Sequence, residues 1–306
     1  MDYERAVEEC KSCEVIAYLP YELPHLEGRV FRGKLKDLIK EEVANCKGSV
    51  GLIGHFSFSL AREALRGKEI ADLTDVLSEM RSVKEGWEVD NVKKAIEVAE
   101  EAIKEVLTNL REGLKEYEVA SELIYEMRRR GAVPSFEPIV ASGRNARFPH
   151  AIPSDKTIKS GELIVIDVGA KVNGYCSDIT RTVSLGRLRT EDENLLKIVR
   201  GAQENAISKL REGIKASEVD REARVFIEKE GLGSYFIHSL GHGVGLEVHE
   251  YPLIAPDNDR PLKEGMIVTI EPGLYLKDKG VRIEDMYLVK RDKGERLTNL
   301  SSFIGL

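Results

Sequence analysis

Apolar residues recur at intervals of three and four between about Glu88 and Leu110, at Val92, Ala95, Ile96, Ala99, Ile103 and Val106. That spacing predicts one long amphipathic helix. Upstream, short apolar runs (Val15 to Tyr18, Ser49 to Gly54) alternate with helix-like stretches, and a polar stretch from Met80 to Glu85 separates the two regions. Downstream the period changes. Glu162-Leu-Ile-Val-Ile-Asp167 and Gly174 to Ser184 are strand-like, rich in β-branched residues, and joined through Asn173-Gly174, a strong type I′ hairpin signal. Pairing across that turn sets position 167 opposite 180, so Asp178 shares a face with Asp167. Met266 to Glu271 and Val281 to Val289 read as a second hairpin around Lys277-Asp-Lys-Gly280. A symmetric register sets 271 opposite 286, with Glu284 on the same face and Pro272 interrupting the ladder.

The chain also repeats itself. Leu110-Arg-Glu-Gly113 recurs as Leu210-Arg-Glu-Gly213, and Lys115, Glu118, Val119, Glu122 and Gly131 have identical partners one hundred residues on. Each copy reads as two helices followed by strands, so the halves are expected to pack as helices over an antiparallel sheet about a pseudo-two-fold axis. Ser217 to Asp220 and Thr190 to Glu193 match N-cap patterns that start helices of the second half. The expectation is an α+β protein with a small α/β domain over residues 1–85 and a larger domain over 86–306.

Composition narrows the classes. With 306 residues the chain can bury a large core. Net charge is −7 and no block of Lys and Arg stands out, which argues against nucleic acid as a partner. No apolar run of 18 residues occurs and the start is polar, so neither a membrane span nor a signal peptide is expected. The cysteines Cys10, Cys13, Cys46 and Cys176 form no disulfide framework for a chain of this size, and a reducing cytoplasm fits them. Cys10-Lys-Ser-Cys13 lacks the second pair a zinc site needs. His25 and His55 carry no motif and read as surface or loop residues.

Asp167, Asp178, His242, Glu271 and Glu284 all fall in the strand-like segments. Four carboxylates and one imidazole are a surplus of hard ligands. They suit two divalent ions that share bridging carboxylates better than one structural zinc. Two such ions are a device for hydrolysis at neutral pH. A set of merely solvated acids is hard to reconcile with the apolar β-branched residues that flank them.

His238-Ser-Leu-Gly-His242-Gly-Val-Gly-Leu-Glu-Val-His249-Glu250 resembles the signature of the proline-specific peptidases of the pita-bread metallopeptidase family, the Xaa-Pro dipeptidases and Xaa-Pro aminopeptidases. Phe148-Pro149-His150, Asp167-Val-Gly169, Ser177 to Thr182, Thr269 to Gly273 and Val281 to Asp285 resemble other family segments, in family order. The resemblance covers about residues 80–306. It implies a pita-bread fold and a metal-dependent exopeptidase that hydrolyses the bond before proline in small peptides with proline second, Xaa-Pro dipeptides first. It implies that Asp167 chelates one metal, Asp178 and Glu284 bridge both, and His242 and Glu271 complete the second. Manganese or cobalt are the implied ions, with iron or zinc as further candidates. Glu271 becomes the proton shuttle, His150 and His249 the donors to the scissile amide or oxyanion, His238 a residue of the proline side, and Arg282 the support of a ligand carboxylate. A homodimer is a further implied expectation. Leu253 stands where prolidases often carry an arginine that grips a dipeptide's carboxylate, which leaves room for an Xaa-Pro aminopeptidase on longer peptides. Methionine aminopeptidases share the fold and ligands, but the upstream domain and His238 speak against that reading. Non-catalytic relatives lose ligands, and all five are present here.

Overall fold

The computed structural model describes residues 3–19, 28–44, 46–54 and 56–305. His25 and His55 lie outside the described residues. The chain divides into two compact units, Met1–Leu77 and Ser78–Leu306.

The first unit alternates helix and strand: α1 (Tyr3–Glu9), β1 (Ile16–Leu19), β2 (Arg29–Arg32), α2 (Leu35–Ala44), β3 (Val50–Leu52), α3 (Phe58–Ala64) and β4 (Ile70–Asp72). Its strands pair in parallel, β1 with β2 and β3 with β4. Helix α4 (Thr74–Ser82) runs across the boundary.

The second unit opens on α5 (Gly86–Asn109) and α6 (Glu116–Arg129). Every apolar position that the period marks on α5 is buried. Glu88 and Glu118 reach back to accept from the amides of Glu85 and Lys115, at 2.8 and 2.7 Å, which satisfies exposed donors at both helix starts. Strands β5 (Val133–Pro134) and β6 (Ile139–Ser142), a short 3₁₀ turn (Gly143–Arg147), and β7 (Leu163–Val168), β8 (Ala170–Val172), β9 (Tyr175–Cys176) and β10 (Ile179–Ser184) complete the first half. The second half repeats the plan with α7 (Thr190–Lys209), α8 (Ala216–Lys229), β11 (Gly241–Gly243), β12 (Glu250–Ile254), β13 (Ile267–Ile270), β14 (Gly273–Tyr275), β15 (Gly280–Arg282), β16 (Asp285–Val289) and β17 (Gly294–Arg296). Strand β18 (Phe303–Gly305) returns to pair with β10.

The repeat is visible bond by bond. Gly113 and Gly213, both at positive φ, donate to Ile158 and Leu262, whose own amides donate back to Leu114 and Ile214. Glu116 and Ala216 then donate to Lys156 and Arg260. Each half has its own apolar core, α5 and α6 against β7 and β10, α7 and α8 against β13 and β16. The two main sheets run β18-β10-β7-β6 and β12-β11-β13-β16-β17, and the fold is α+β.

Two local expectations change. The N-caps of α7 and α8 are Arg189 and Lys215, with no side-chain cap bond. For α8 the reason is tertiary: the carbonyls of Arg260 and Asn258 take the amides of Ala216 and Ser217, and the Ser217 hydroxyl donates to Asp259 instead. The second hairpin is also two residues tighter than expected. Leu276 donates to Lys279 across its tip, so Ile270 pairs with Asp285 and Gly273 with Arg282. In this register Glu271 lies opposite Glu284 in the gap around Pro272. A slip of two preserves parity, so both carboxylates keep their shared face.

Candidate metal centre

The first hairpin forms in the expected register, with Asp167 paired to Thr180 and Val172 to Tyr175. Asn173 and Gly174 both take positive φ, as a type I′ turn demands. Asp167 projects from β7, and Asp178 lies between β9 and β10. Gly169 is opposite Asp178 and is close-packed: a Cβ there would lie 1.9 Å from the Ser177 carbonyl. His242 is the middle residue of β11, Glu271 follows β13 and Glu284 precedes β16.

These segments meet at a seam between the two sheets. Glu284 donates its amide to the Thr180 carbonyl at 3.1 Å, and Thr182 Oγ1 donates to the Arg282 carbonyl at 2.7 Å. The seam brings all five candidate ligands together. Ligand atoms of Asp167, Asp178 and Glu284 lie within 4.8 Å of one another, as do those of His242, Glu271 and Glu284, and those of Asp178, His242 and His249. Asp178, Glu284 and His242 each belong to two of these groups. His249 reaches the cluster too, its ring 4.3 Å from that of His242 between centroids.

The hydrogen bonds leave the inward atoms available to a cation. His242 Nδ1 lies 3.0 Å from the Gly243 carbonyl, so Nε2 faces Glu271 at 3.3 Å and Asp178 at 3.5 Å. Asp167 Oδ1, Asp178 Oδ1 and Glu284 Oε1 are buried without a hydrogen-bond donor among the described residues. A buried carboxylate oxygen in that state is costly unless something positive faces it. The donor set and these three oxygens therefore fit divalent ions.

Arg282 is the guanidinium of the cluster, and it pairs with Asp167 rather than with its neighbour Glu284. Nη2 donates to Asp167 at 2.7 Å, Nε to Thr180 Oγ1 at 3.0 Å, and Nη1 to Tyr275 Oη and the Pro149 carbonyl at 2.7 and 3.1 Å. Thr180 Oγ1 in turn donates to Glu284 Oε2 at 2.8 Å. Burial, followed by the charges of Glu284 and Asp167, pushes Asp178 well above the ordinary carboxylate range. Burial and the charges of Glu271 and Asp167 do the same to Glu284. At Glu271, burial pushes upward but the hydrogen bond and charge of His242 outweigh it and hold the carboxyl below its ordinary value. Burial, then the nearby His242, lowers His249, which keeps it neutral at pH 7.

His150, His238 and His249 line the same cavity of about 590 Å³, together with the five candidate ligands and Arg282. His150 stands exposed on the loop after the 3₁₀ turn. His238 Nε2 lies 3.1 Å from Tyr275 Oη, and its burial lowers its pKa. Sequence reasoning missed Tyr275 and gave Thr180 no role beyond its place opposite Asp167. It also missed Glu116, which is fully buried and takes five hydrogen bonds from Ser142, Asn145 and Ser154, so that it holds the loop that carries His150. Its signal was faint: one more glutamate at a helix start.

A Xaa-Pro dipeptidase of Pyrococcus furiosus is 41% identical over 295 residues, covering 93% of this chain and 84% of that protein. Among solved structures, the prolidase from Pyrococcus furiosus matches with a TM-score of 0.85 at 37% identity, over 94% of this chain and 88% of that one. The X-Pro aminopeptidase from Thermotoga maritima matches with a TM-score of 0.82 at 38% identity, over 92% and 83%. The model of metallopeptidase family M24 matches residues 90–291, a span that holds both hairpins, the seam between them and every residue of the acidic cluster; the chain belongs to that family.

Proposed function

We propose that this protein is a cytoplasmic Xaa-Pro dipeptidase that works with two divalent metal ions. One observation carries the reading: four carboxylates and an imidazole converge in a buried cleft with three carboxylate oxygens left without donors, in a chain 41% identical to a Xaa-Pro dipeptidase. Asp167, Asp178, His242, Glu271 and Glu284 would hold the ions, with Asp178 and Glu284 shared between them. Their oxygen-rich set favours manganese-like ions, manganese or cobalt. Two ions bound there supply Lewis acidity and acidify water at neutral pH.

The protein's own groups do the rest. Glu271, held ionised by His242, takes a proton from the attacking water and passes one to the leaving proline nitrogen. His150 and neutral His249 donate to the scissile amide and to the oxygen on which negative charge develops. His238, fixed by Tyr275 and the Ser239 carbonyl, shapes the proline side. Arg282 orients Asp167 and, through Thr180, Glu284. All four cysteines are free, which suits a reducing compartment. Among the described residues no helix is long and apolar enough to cross a membrane.

A second reading, an Xaa-Pro aminopeptidase, is favoured by Leu253, which lines the cavity half exposed and offers a longer peptide no charge. Hydrolysis of Met-Pro, Met-Pro-Ala and Met-Ala-Ser by manganese-loaded protein separates these. Cleavage of Met-Pro alone is the expected result. Cleavage of Met-Pro-Ala as well or better establishes the aminopeptidase, and cleavage of Met-Ala-Ser alone removes proline from the assignment.

A further inference from the structure

A dipeptide brings a carboxylate into a cavity that is already acidic. Besides the four candidate ligand carboxylates, Glu247 and Glu250 line the cavity wall, and Arg81 and Arg282 are its arginines. Arg282 is spent: its three nitrogens bond Asp167, Thr180, Tyr275 and Pro149, and it is buried. Leu253 adds no charge. Among the described residues, a free carboxylate that enters this cavity therefore has one guanidinium to meet.

Arg81 is placed and prepared for that. It lies in the last turn of α4, inside the second unit, with its side chain 28% exposed. Two carboxylates converge on a single nitrogen, Nη2. The inner one, Glu250, is almost fully buried and is also held by Lys84 Nζ at 3.2 Å and the Glu247 amide at 3.0 Å. The outer one, Glu247, is 68% exposed and touches Nη2 at 3.0 Å with nothing else fixing its oxygens among the described residues. Arg81 Nε has no hydrogen-bond partner among the described residues. Glu250 thus orients the guanidinium permanently. Glu247 occupies its solvent side as a surface ion pair of small net worth. An incoming carboxylate that displaces Glu247 gains the fork geometry that arginine offers to carboxylates.

We propose that Arg81 receives the free carboxylate of the substrate and that Glu247 is its exchangeable occupant in the absence of substrate. The proposal rests on the dipeptidase reading and names the residue that sets its preference for a free carboxyl end.

The test compares kcat/KM for Met-Pro with that for Met-Pro-amide, which carries the same scissile bond and no carboxylate, using manganese-loaded full-length protein. Wild type should favour the acid ~10-fold or more, and Arg81→Met should reduce that ratio ~10- to 100-fold, mainly through KM for the acid, as loss of a charge-assisted bond predicts. Arg81→Lys should recover part of the ratio. Glu247→Gln leaves Arg81 in place and removes its competitor, so KM for Met-Pro should fall several-fold relative to the amide. A parallel loss on acid and amide in Arg81→Met, together with an unchanged ratio in Glu247→Gln, would make the cluster a structural clamp and overturn the proposal. Wild type that cuts acid and amide equally overturns it while sparing the dipeptidase reading. Wild type that cuts neither overturns both.

Discussion

Thr180→Val keeps shape and deletes one hydroxyl at the centre of the seam. That hydroxyl is fully buried, accepts from Arg282 Nε at 3.0 Å and donates to Glu284 Oε2 at 2.8 Å. Each bond involves a charged partner and is worth ~1.5–3 kcal/mol when its partner is left unsatisfied. The two bonds respond differently to metal. Arg282 is always charged, so its loss is felt with or without ions. Glu284 sits high in its titration range without metal and is protonated more readily, so the bond to its ionised form matters once ions hold it as a carboxylate. Metal-free variant should therefore lose ~1.5–3 kcal/mol, about 3–12 °C in melting midpoint for a unit of this size. The metal-loaded variant should lose roughly twice that energy. The difference should appear as a ~10- to 100-fold weaker metal affinity, the usual cost of removing a partner of a ligand. Thermal melts with and without chelator, together with a manganese titration, measure both quantities. Equal losses in the two states, or an unchanged affinity, would reduce Thr180 to an ordinary strand residue.

Three further outcomes are expected. Asp178 and Glu284 have folded-state pKa values raised above the ordinary carboxylate range, so the folded protein holds more protons than the unfolded chain from that range upward. Chelated protein should then lose stability as pH climbs above ~4, whereas stabilisation by manganese should grow over the same interval as the ligands release protons; melts across pH in both states check this, and parallel curves would refute it. Glu271→Gln should lower kcat by ~10²–10⁴-fold at saturating substrate, the range for loss of a general acid–base group, and a bound metal count taken alongside separates proton transfer from lost metal. Glu116→Gln turns an amide NH₂ toward donors from Ser142, Asn145 and Ser154, and should cost at least ~2 kcal/mol; it should also slow Met-Pro hydrolysis, because the freed loop carries Pro149 and His150, and an unaltered kcat in a destabilised variant would show that the loop holds its place by other means.

The pattern of legibility follows from which interactions are local. The register of the first hairpin could be read because Asn173-Gly174 dictates a two-residue turn, which fixes every pair behind it. The second hairpin has no such dipeptide. Its tip, Leu276 to Lys279, is set by one extra backbone bond, and the symmetric guess slipped by two. Faces survived that error because strand parity is even. Helix α5 was legible from its period, whereas the cap of α8 was not, since carbonyls of the loop after β12 replace the side chain that usually caps. Ligand types announced themselves as acids amid β-branched residues. Thr180, Tyr275, Glu116 and Arg81 are visible only in three dimensions, because each acts on a group far away in sequence.

Three of the five candidate ligands occupy a revealing part of the ladder, whereas Asp167 and His242 lie within paired strands. Asp178 and Glu284 stand just before their strands, and Glu271 just after its own, where hairpin pairing has lapsed. Their amides bond outside their own hairpins instead: Asp178 to Met286 Sδ, Glu271 to the Leu240 carbonyl, Glu284 to the Thr180 carbonyl. Residues within an unbroken ladder have their amides committed to the neighbouring strand. At an interruption they are free to bond elsewhere: those of Asp178 and Glu284 reach across and join the two sheets, while that of Glu271 ties the end of β13 to the segment before β11. Two of the positions that gather negative charge, Asp178 and Glu284, are thus positions that fasten the halves of the repeat. Repulsion among the carboxylates acts on the seam itself, so neutralising it with cations should tighten the whole second unit rather than a local loop. Hydrogen exchange should report this directly: addition of manganese to chelated protein should slow the amides of β10 and β16 together, and protection confined to the ligand residues would uncouple the centre from the fold.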